Sequence, residues 1–441
     1  MTMDDKDSEF QFIKEKIKDK PINKRRVLEI GALIVLAAVV FGAISASVFS
    51  AMVRDSINTE QMREVSIAEE DEQPQEVTVS QNTLSETKES DESVSSGEAP
   101  QIINNITEKV SLTTEDYKDL YRSLSDAAED AMRSMVTVTG VASDTDWFDS
   151  TYEDTSSGSG IILANNGKEL LIVASSDVTE DADKITLTFA DGTTVDGKVK
   201  QVDQDTGIEI IAAPMEAISS ETLEAIKEAK LGSSRSSKLP GTPVMAVGRP
   251  LGSNGNVAYG LVTSNSRVMN MTDRNAHIIS TDIYGSKEAS GAIFNYEGQV
   301  LGIISRKTTP KDVENLISGY SISDMKDIIE SLSNDKSTTC LGIKGTNVTD
   351  AAHEEIGVPY GAYVTSVIMN SPAMSAGIQS GDVITKIGTK EISDFGDYTE
   401  TIMSSQPGDD AVVTVRRYAR GEYAEMSFDV TYTTLDKDLI E

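Results

Sequence analysis

Two sets of about six short β-like runs lie between residues 135 and 322, and this succession limits the fold more than any other feature. The runs are rich in Val, Ile and Thr, as in Met135–Ala142 and His277–Thr281. Gly, Asp and Asn separate them, which is typical of the turns between short strands. The pattern favours a pair of β-barrels over an α/β fold.

Helical patterns flank the two sets of β runs. Apolar residues recur at helical spacing from Thr114 to about Arg133, and a second helix is predicted at Asp324–Leu332. A polar linker then leads to a smaller unit of mixed α+β pattern, whose length suits a small domain. We therefore predict one domain at 113–334 and another at 340–434.

Residues 30–53 contain no charged side chain. At about 1.5 Å per residue, a helix of this length spans a hydrocarbon core of about 30 Å. Lysines and arginines precede the run, so the positive-inside rule places residues 1–29 in the cytoplasm and the rest outside it, anchored to the cell membrane. A cleaved signal peptide is the alternative, because small residues near Ser45–Ala51 permit cleavage, although the run exceeds a signal core of about 7–15 residues.

Residues 54–112 are predicted to form a disordered acidic linker. They are rich in Glu, Asp, Ser, Gln and Thr and contain no aromatic residue, so they cannot bury enough apolar surface to offset the entropy of ordering. The whole chain has a net charge of -33, from 72 acidic and 39 basic residues. We expect no nucleic-acid partner, because a polyanion would be repelled.

Cysteine and histidine are scarce in this chain. Cys340 is the single cysteine, which excludes a disulfide framework, and we interpret it as a small core residue. His277 and His353 are the only two histidines, and we interpret both as surface or core residues rather than catalytic bases. No residue cluster has metal-ligand spacing and no glycine-rich loop resembles a phosphate cradle, so no metal and no cofactor are expected.

Several motifs resemble, in order and spacing, those of the HtrA family of trypsin-like serine proteases that carry a C-terminal PDZ domain. In the barrel region they are SGSG at 157–160, ADKIT at 182–186, LGSS at 231–234, PLG at 250–252 and GYSISDM at 319–325. In the smaller unit they are LGI at 341–343, GAYV at 361–364, SPA at 371–373 and GDVI at 381–384. The resemblance implies a mainly β protein, in which a chymotrypsin-like double β-barrel and an α+β PDZ domain follow a single transmembrane helix.

The resemblance also implies a protease site in which two positions carry the wrong residue type. Such a site needs a base, an acid that orients it, and donors for the oxyanion. Asp177 stands at the histidine position, and a solvated carboxylate is a poor base for an alcohol. Gly207 stands at the aspartate position, while Asp205 and Glu209 are expected to point elsewhere on a strand of period two.

The segment Thr281–Asn295, TDIYGSKEASGAIFN, resembles the turn that presents the nucleophilic serine in this family. Counted without a gap from the following strand, the nucleophile position falls on Ala289; with one deletion it falls on Ser290. The oxyanion glycine becomes Lys287 or Glu288, and a negative Glu288 would oppose a developing oxyanion. A dyad of Ser290 with Lys287 is an alternative that only the spacing supports.

The PDZ resemblance implies a peptide-binding site. The backbone N–H groups of Leu341, Gly342 and Ile343 would capture a C-terminal carboxylate, and the peptide would add as a strand between Ile343 and a helix that runs from Tyr398 to Met403. The alternative is a PDZ-shaped spacer that binds no peptide.

These features together predict a membrane-anchored, extracytoplasmic pseudoprotease that acts by binding in envelope protein quality control. The expected partners are peptide C-termini, unfolded proteins or an active HtrA relative. Members of the family form trimers, so the resemblance implies a homo- or hetero-trimer. One alternative is an active trypsin-like serine endopeptidase with a rearranged site that uses Ser290. Another is a purely structural membrane scaffold.

Overall fold

The computed structural model describes residues 63–67, 113–145, 151–436 and 439. The predicted cytoplasmic tail, the predicted transmembrane helix and most of the predicted linker lie outside these ranges. Within them, no helix has the length and apolar character needed to cross a membrane.

The first barrel is a closed ring of six antiparallel strands. These are β1 (Met135–Thr145), β2 (Thr151–Asn165), β3 (Glu169–Ser175), β4 (Lys184–Thr188), β5 (Thr194–Asp203) and β6 (Ile208–Pro214). They follow the order β1-β2-β3-β6-β5-β4, and β4 pairs with β1 to close the ring. Alternating side chains such as Val136, Val138 and Ile172 fill its interior.

Strands β3 and β6 are buried on both faces. Leu170 and Ile172 point into the barrel, whereas Leu171 and Val173 join a larger apolar cluster on the outside. That cluster includes Phe294 from the second barrel and side chains of the helix that follows it. Burial on both sides explains why these two strands are nearly continuous apolar runs.

The second barrel also closes with six strands. Its elements are β7 (Lys230–Leu231), β8 (Pro243–Gly248), β9 (Asn256–Asn270), β10 (Asn275–Tyr284), β11 (Gly291–Phe294), β12 (Gln299–Ile304) and β13 (Leu316–Ser321). The path runs β8-β9-β10-β13-β12-β11, and β11 pairs back onto β8. The short strand β7 pairs outside the ring with β12. The prediction of paired β-barrels is confirmed.

Three helices accompany the barrels. They are α1 (Thr114–Met132), α2 (Ser220–Ala225) and α3 (Ile322–Ser333), with single 3-10 turns at Ser176–Val178, Met215–Ala217, Arg306–Thr308 and Lys311–Val313. Helix α1 starts at Thr113, whose side chain and that of Asp116 cap each other's backbone N–H groups. Helix α3 buries Met325 and Ile329 in the apolar cluster that joins the two barrels.

The C-terminal domain packs three helices onto a β-sheet. Its strands are β14 (Thr339–Cys340), β15 (Ile343–Asn347), β16 (Ala362–Val367), β17 (Val383–Ile387), β18 (Lys390–Glu391), β19 (Asp410–Ala419), β20 (Glu422–Thr431) and β21 (Thr433–Thr434). Its helices are α4 (Asp350–Ile356), α5 (Pro372–Ala376) and α6 (Phe395–Met403). Cys340 is fully buried, which confirms its interpretation as a core residue.

Two elements of this domain are not among those predicted. Strand β20 pairs along its whole length with β19; most of its side chains are exposed, but the apolar residues at every second position from Ala424 to Val430 form an alternation that could have marked it. Helix α4 buries none of its own residues. Strand β15 begins at Ile343, because Gly342 turns the chain with a φ of +92°.

The tip of the β9–β10 hairpin lies between the first barrel and the C-terminal domain. Arg274 there forms an ion pair of 2.5 Å with Asp203, and both side chains are almost fully buried. Burial alone would raise the pKa of Asp203, but the charge of Arg274 and bonds from Thr206 hold it below its usual value. The backbone N–H of Thr272 donates to the carboxylate of Asp205 at 2.6 Å. The hairpin tip is thus held to the loop after β5.

Replacing Arg274 with alanine should destabilise the fold severely, because the buried carboxylate of Asp203 would lose its counter-charge. We expect a loss of about 3–5 kcal/mol in the free energy of unfolding, measured by urea denaturation of the full chain. Lys118→Ala, which breaks the exposed ion pair with Glu115, is the control and should cost less than about 1 kcal/mol. Equal losses in the two variants would contradict this account.

Candidate functional site

A cavity of about 380 Å³ lies where the serine-type turn faces the first barrel. Residues of both barrels line it, and they include Asp177, Ala289 and Ser290. The structure therefore brings three of the four predicted protease positions to one cavity. Gly207 lies behind the cavity wall, where its carbonyl accepts a hydrogen bond from the N–H of Ser176 at 2.8 Å.

Backbone hydrogen bonds to the segment at Arg249 and Pro250 fix the turn that ends at Ser290. The N–H of Ser286 donates to the carbonyl of Pro250, and the N–H of Arg249 donates to the carbonyl of Ser290. Gly291 then enters β11 with a φ of +119°, and a Cβ there would lie 2.2 Å from the carbonyl oxygen of Val247. Only glycine fits at that position, so the turn is retained for packing reasons.

The two candidates for the nucleophile position have different surroundings. Ala289 is buried in the core of the second barrel and has no nucleophilic atom. The hydroxyl of Ser290 accepts a hydrogen bond of 3.1 Å from the backbone N–H of Ser159. No histidine, carboxylate or amine of the described chain lies within hydrogen-bond distance of that hydroxyl. A serine without a base in contact is a weak nucleophile.

Asp177 and Gly207, at the positions predicted for the base and its orienting acid, lie in different surroundings. Asp177 is exposed on its 3-10 turn, where it accepts a hydrogen bond from the hydroxyl of Ser175 at 3.1 Å. A Cβ built on Gly207 would lie 3.0 Å from the ammonium nitrogen of Lys307. The ammonium group of Lys307 therefore lies next to the point from which the side chain of an orienting aspartate at position 207 would extend.

The oxyanion donors are also altered. The N–H of Glu288 donates to the hydroxyl of Ser286 at 3.1 Å, and the N–H of Ala289 donates to the carbonyl of the same serine at 3.1 Å. The carboxylate of Glu288 pairs with Arg249 at 2.8 Å. Because these N–H groups are bonded within the turn, they do not converge on a point where an oxyanion could form.

The two histidines lie elsewhere. The imidazole Nδ1 of His277 is 2.9 Å from the carboxylate of Asp324, and this bond raises the pKa of the histidine. His353 bonds through Nδ1 to the carbonyl of Val358 and stacks on Tyr360. Neither residue lines the cavity beside Ser290.

Glu209 is a buried ionisable group whose side chain was expected to point away from the protease site. It points toward the Asp177 turn, where it accepts a hydrogen bond from the hydroxyl of Thr179 at 2.7 Å. Gly207 lies in the turn just before β6, with a φ of +74°, so the alternation of a strand does not relate its direction to that of Glu209. Burial raises the pKa of Glu209 to about 7, and the nearby charge of Asp177 adds to the effect.

The predicted peptide-binding loop has the expected form but is filled from within the chain. The N–H groups of Leu341, Gly342 and Ile343 all donate to the carboxylate of Asp273, at 2.8 to 3.0 Å. The hydroxyl of Tyr398 donates to the same carboxylate at 2.5 Å. Burial raises the pKa of Asp273, and the bonds it accepts from the loop and from Tyr398 offset only part of that effect.

Met403 does not belong to this group of contacts. It lies at the end of α6 and packs against the apolar cluster of the barrels. The structure therefore brings together four of the five predicted peptide-binding residues and leaves the fifth in the domain interface.

Comparison with known proteins agrees with this architecture. The trypsin-like peptidase domain profile matches residues 158–303, and the PDZ domain profile matches residues 339–430. The chain thus consists of a trypsin-like peptidase domain followed by a PDZ domain. In this domain order the chain resembles the HtrA-type serine proteases described next.

Among its relatives is the serine protease Do-like HtrA of Lactococcus lactis, which is 28% identical over 303 residues, 64% of this chain and 72% of that protein. The HtrA-like serine protease of Staphylococcus epidermidis is 27% identical over 316 residues, 67% of this chain and 52% of that protein. The structure of the HtrA-type protease AlgW with a decapeptide aligns with a TM-score of 0.50 at 18% identity, and the match covers 71% of this chain and 99% of that one. This last likeness supports the fold alone.

Replacing Glu209 with glutamine should flatten the pH dependence of stability. The pKa of Glu209 is raised in the folded state, so its contribution is fully present below about pH 4.5 and is lost as the pH rises to about 7. Relative to Glu209→Gln, the wild type should lose about 3 kcal/mol between pH 4.5 and pH 8.

Urea denaturation across this pH range measures the effect. Glu216→Gln is the matched control, because Glu216 is exposed in the loop after the same strand. Its curve should run parallel to that of the wild type. If the Glu209→Gln curve also ran parallel to the wild type, the buried, proton-binding state of Glu209 would be refuted.

Proposed function

We propose that this chain is a catalytically inactive HtrA-type protein that works by binding peptides and unfolded segments through its PDZ domain and barrel surfaces. The observation that carries the proposal is the environment of Ser290. Its hydroxyl is bonded to a backbone N–H, the histidine position is an exposed Asp177, and Lys307 lies at Gly207. No part of this arrangement can accept the serine proton and hold it.

The proposed binding function rests on the PDZ domain. Three N–H groups converge on one carboxylate at Leu341–Ile343, and strand β15 has its pairing edge toward α6. A peptide with a free C-terminus can use both features, because main-chain bonds supply affinity and the loop recognises the terminal charge. Peptide C-termini, unfolded proteins and an active HtrA relative are the partners we propose, with trimerisation as the route to the last.

The proposed place of action is the outer side of the cell membrane. The uncharged run at 30–53 and the basic residues before it support a single N-terminal anchor with the folded domains outside the cytoplasm. This position suits a role in envelope protein quality control, since unfolded chains and exposed C-termini arise there.

Unfolded casein tests whether the chain is an active endopeptidase. The purified full chain should leave casein intact under conditions in which an active serine protease degrades it. The lack of a base in contact with Ser290 is the physical reason.

Two serine variants decide the matter if cleavage is observed. Ser290→Ala removes the candidate nucleophile, and Ser286→Ala removes a hydroxyl whose hydrogen bond, from the N–H of Glu288, stays within the same turn. Cleavage that is lost in Ser290→Ala and kept in Ser286→Ala would show a rearranged active site and would refute the proposal.

A further inference from the structure

Asp273 lies at the tip of the β9–β10 hairpin and reaches into the carboxylate-binding loop of the PDZ domain. Its two carboxylate oxygens accept hydrogen bonds from the N–H groups of Leu341, Gly342 and Ile343 and from the hydroxyl of Tyr398. The residue is buried, with 5% of its surface exposed. All the donors of this loop are therefore occupied by one side chain of the same protein.

The backbone of Asp273 takes part as well. Its N–H donates to the carbonyl of Ile343 at 2.7 Å, and its own carbonyl accepts a hydrogen bond from the hydroxyl of Thr399 at 3.0 Å. A peptide that adds as a strand beside Ile343 would place the N–H of its last residue on the same carbonyl and its terminal carboxylate on the same three N–H groups. Asp273 makes both kinds of contact.

We infer that Asp273 is an internal ligand of the PDZ domain and that it competes with the C-terminal carboxylate of a peptide partner. The inference rests on the proposed peptide-binding function and adds its regulation. The ligand class is a peptide with a free α-carboxylate, because the loop offers only donors to one carboxylate. The partner and Asp273 cannot occupy these donors together.

The hairpin tip is held in this position by contacts on its other side. Arg274 pairs with the buried Asp203, and the N–H of Thr272 donates to Asp205. The backbone of Asp273 has a φ of +59°, a conformation that aspartate and asparagine tolerate better than most residues. The tip is thus built to present this carboxylate, and a peptide can bind only when the tip leaves the loop.

Removing the carboxylate should open the site. In a two-state description, the apparent affinity of a ligand is reduced by the fraction of the protein that is competent to bind. Asp273→Ala should raise that fraction, and so should Asp273→Asn, which keeps the left-handed turn but faces the loop donors with an uncharged amide. Asn270→Ala is the control, since Asn270 is exposed on the same hairpin before the tip.

The first measurement is peptide binding by the full chain in detergent micelles. A random decapeptide library with free C-termini is selected on Asp273→Ala, and the selected peptides are resynthesised as free acids and as C-terminal amides. We expect both Asp273 variants to bind the free acids at least about tenfold more tightly than the wild type and Asn270→Ala do, and the amides not to bind. Equal affinities for the wild type and the Asp273 variants would overturn the inference.

The second measurement needs no peptide. Hydrogen exchange of the N–H groups of Leu341, Gly342 and Ile343 should be slow in the wild type and in Asn270→Ala, and at least about tenfold faster in both Asp273 variants, because alanine has no acceptor and asparagine offers one neutral oxygen in place of two charged ones. Unchanged exchange in the Asp273 variants would overturn the inference whatever the peptides do. Fast exchange with no peptide bound by any variant would overturn the peptide-binding function itself.

Discussion

The three folded parts of this protein meet at the tip of one hairpin, and the contacts of its charged side chains hold them there. Arg274 neutralises the buried Asp203 of the first barrel, while the neighbouring Asp273 accepts every donor of the PDZ carboxylate loop. Each of these charges is costly to bury alone and stable only in its pair or hydrogen-bond network. The arrangement of the PDZ domain on the barrels therefore depends on the charged side chains of a short turn, to which Met403 adds an apolar contact.

Close packing fixes the form of the serine turn. Gly291 is required by the close approach of Val247, and Ala289 is part of the second barrel's core. Packing therefore determines the shape of the turn. Asp177 is exposed and could be substituted at little cost to the fold, whereas Gly207 is buried beside Lys307 with a φ of +74°, so a side chain there would be strained.

The double barrel could be predicted because its strands are marked by β-branched runs between glycine-rich turns, and the PDZ domain because its motifs resemble those of the HtrA family. Strand β20 is not among the predicted strands, although Ala424, Met426, Phe428 and Val430 alternate along it, because most of its other side chains are polar and exposed. The sequence also marks Leu341, Gly342 and Ile343 as a carboxylate loop, but nothing local marks Asp273 as its occupant. The two lie about 70 residues apart, and their contact depends on how the domains pack. The contact of Lys307 with Gly207 could not be predicted either, because Lys307 belongs to the other barrel and the contact depends on how the barrels pack.

The central claim is that the serine of this fold is unactivated, and covalent labelling tests it directly. The full chain and its Asp273→Ala variant are incubated with a fluorophosphonate, which reacts only with activated serines, and their intact masses are measured. The account predicts no added mass in either protein, because no base contacts Ser290 whether the PDZ loop is filled or open. Addition of one phosphonyl group that disappears in Ser290→Ala would contradict it.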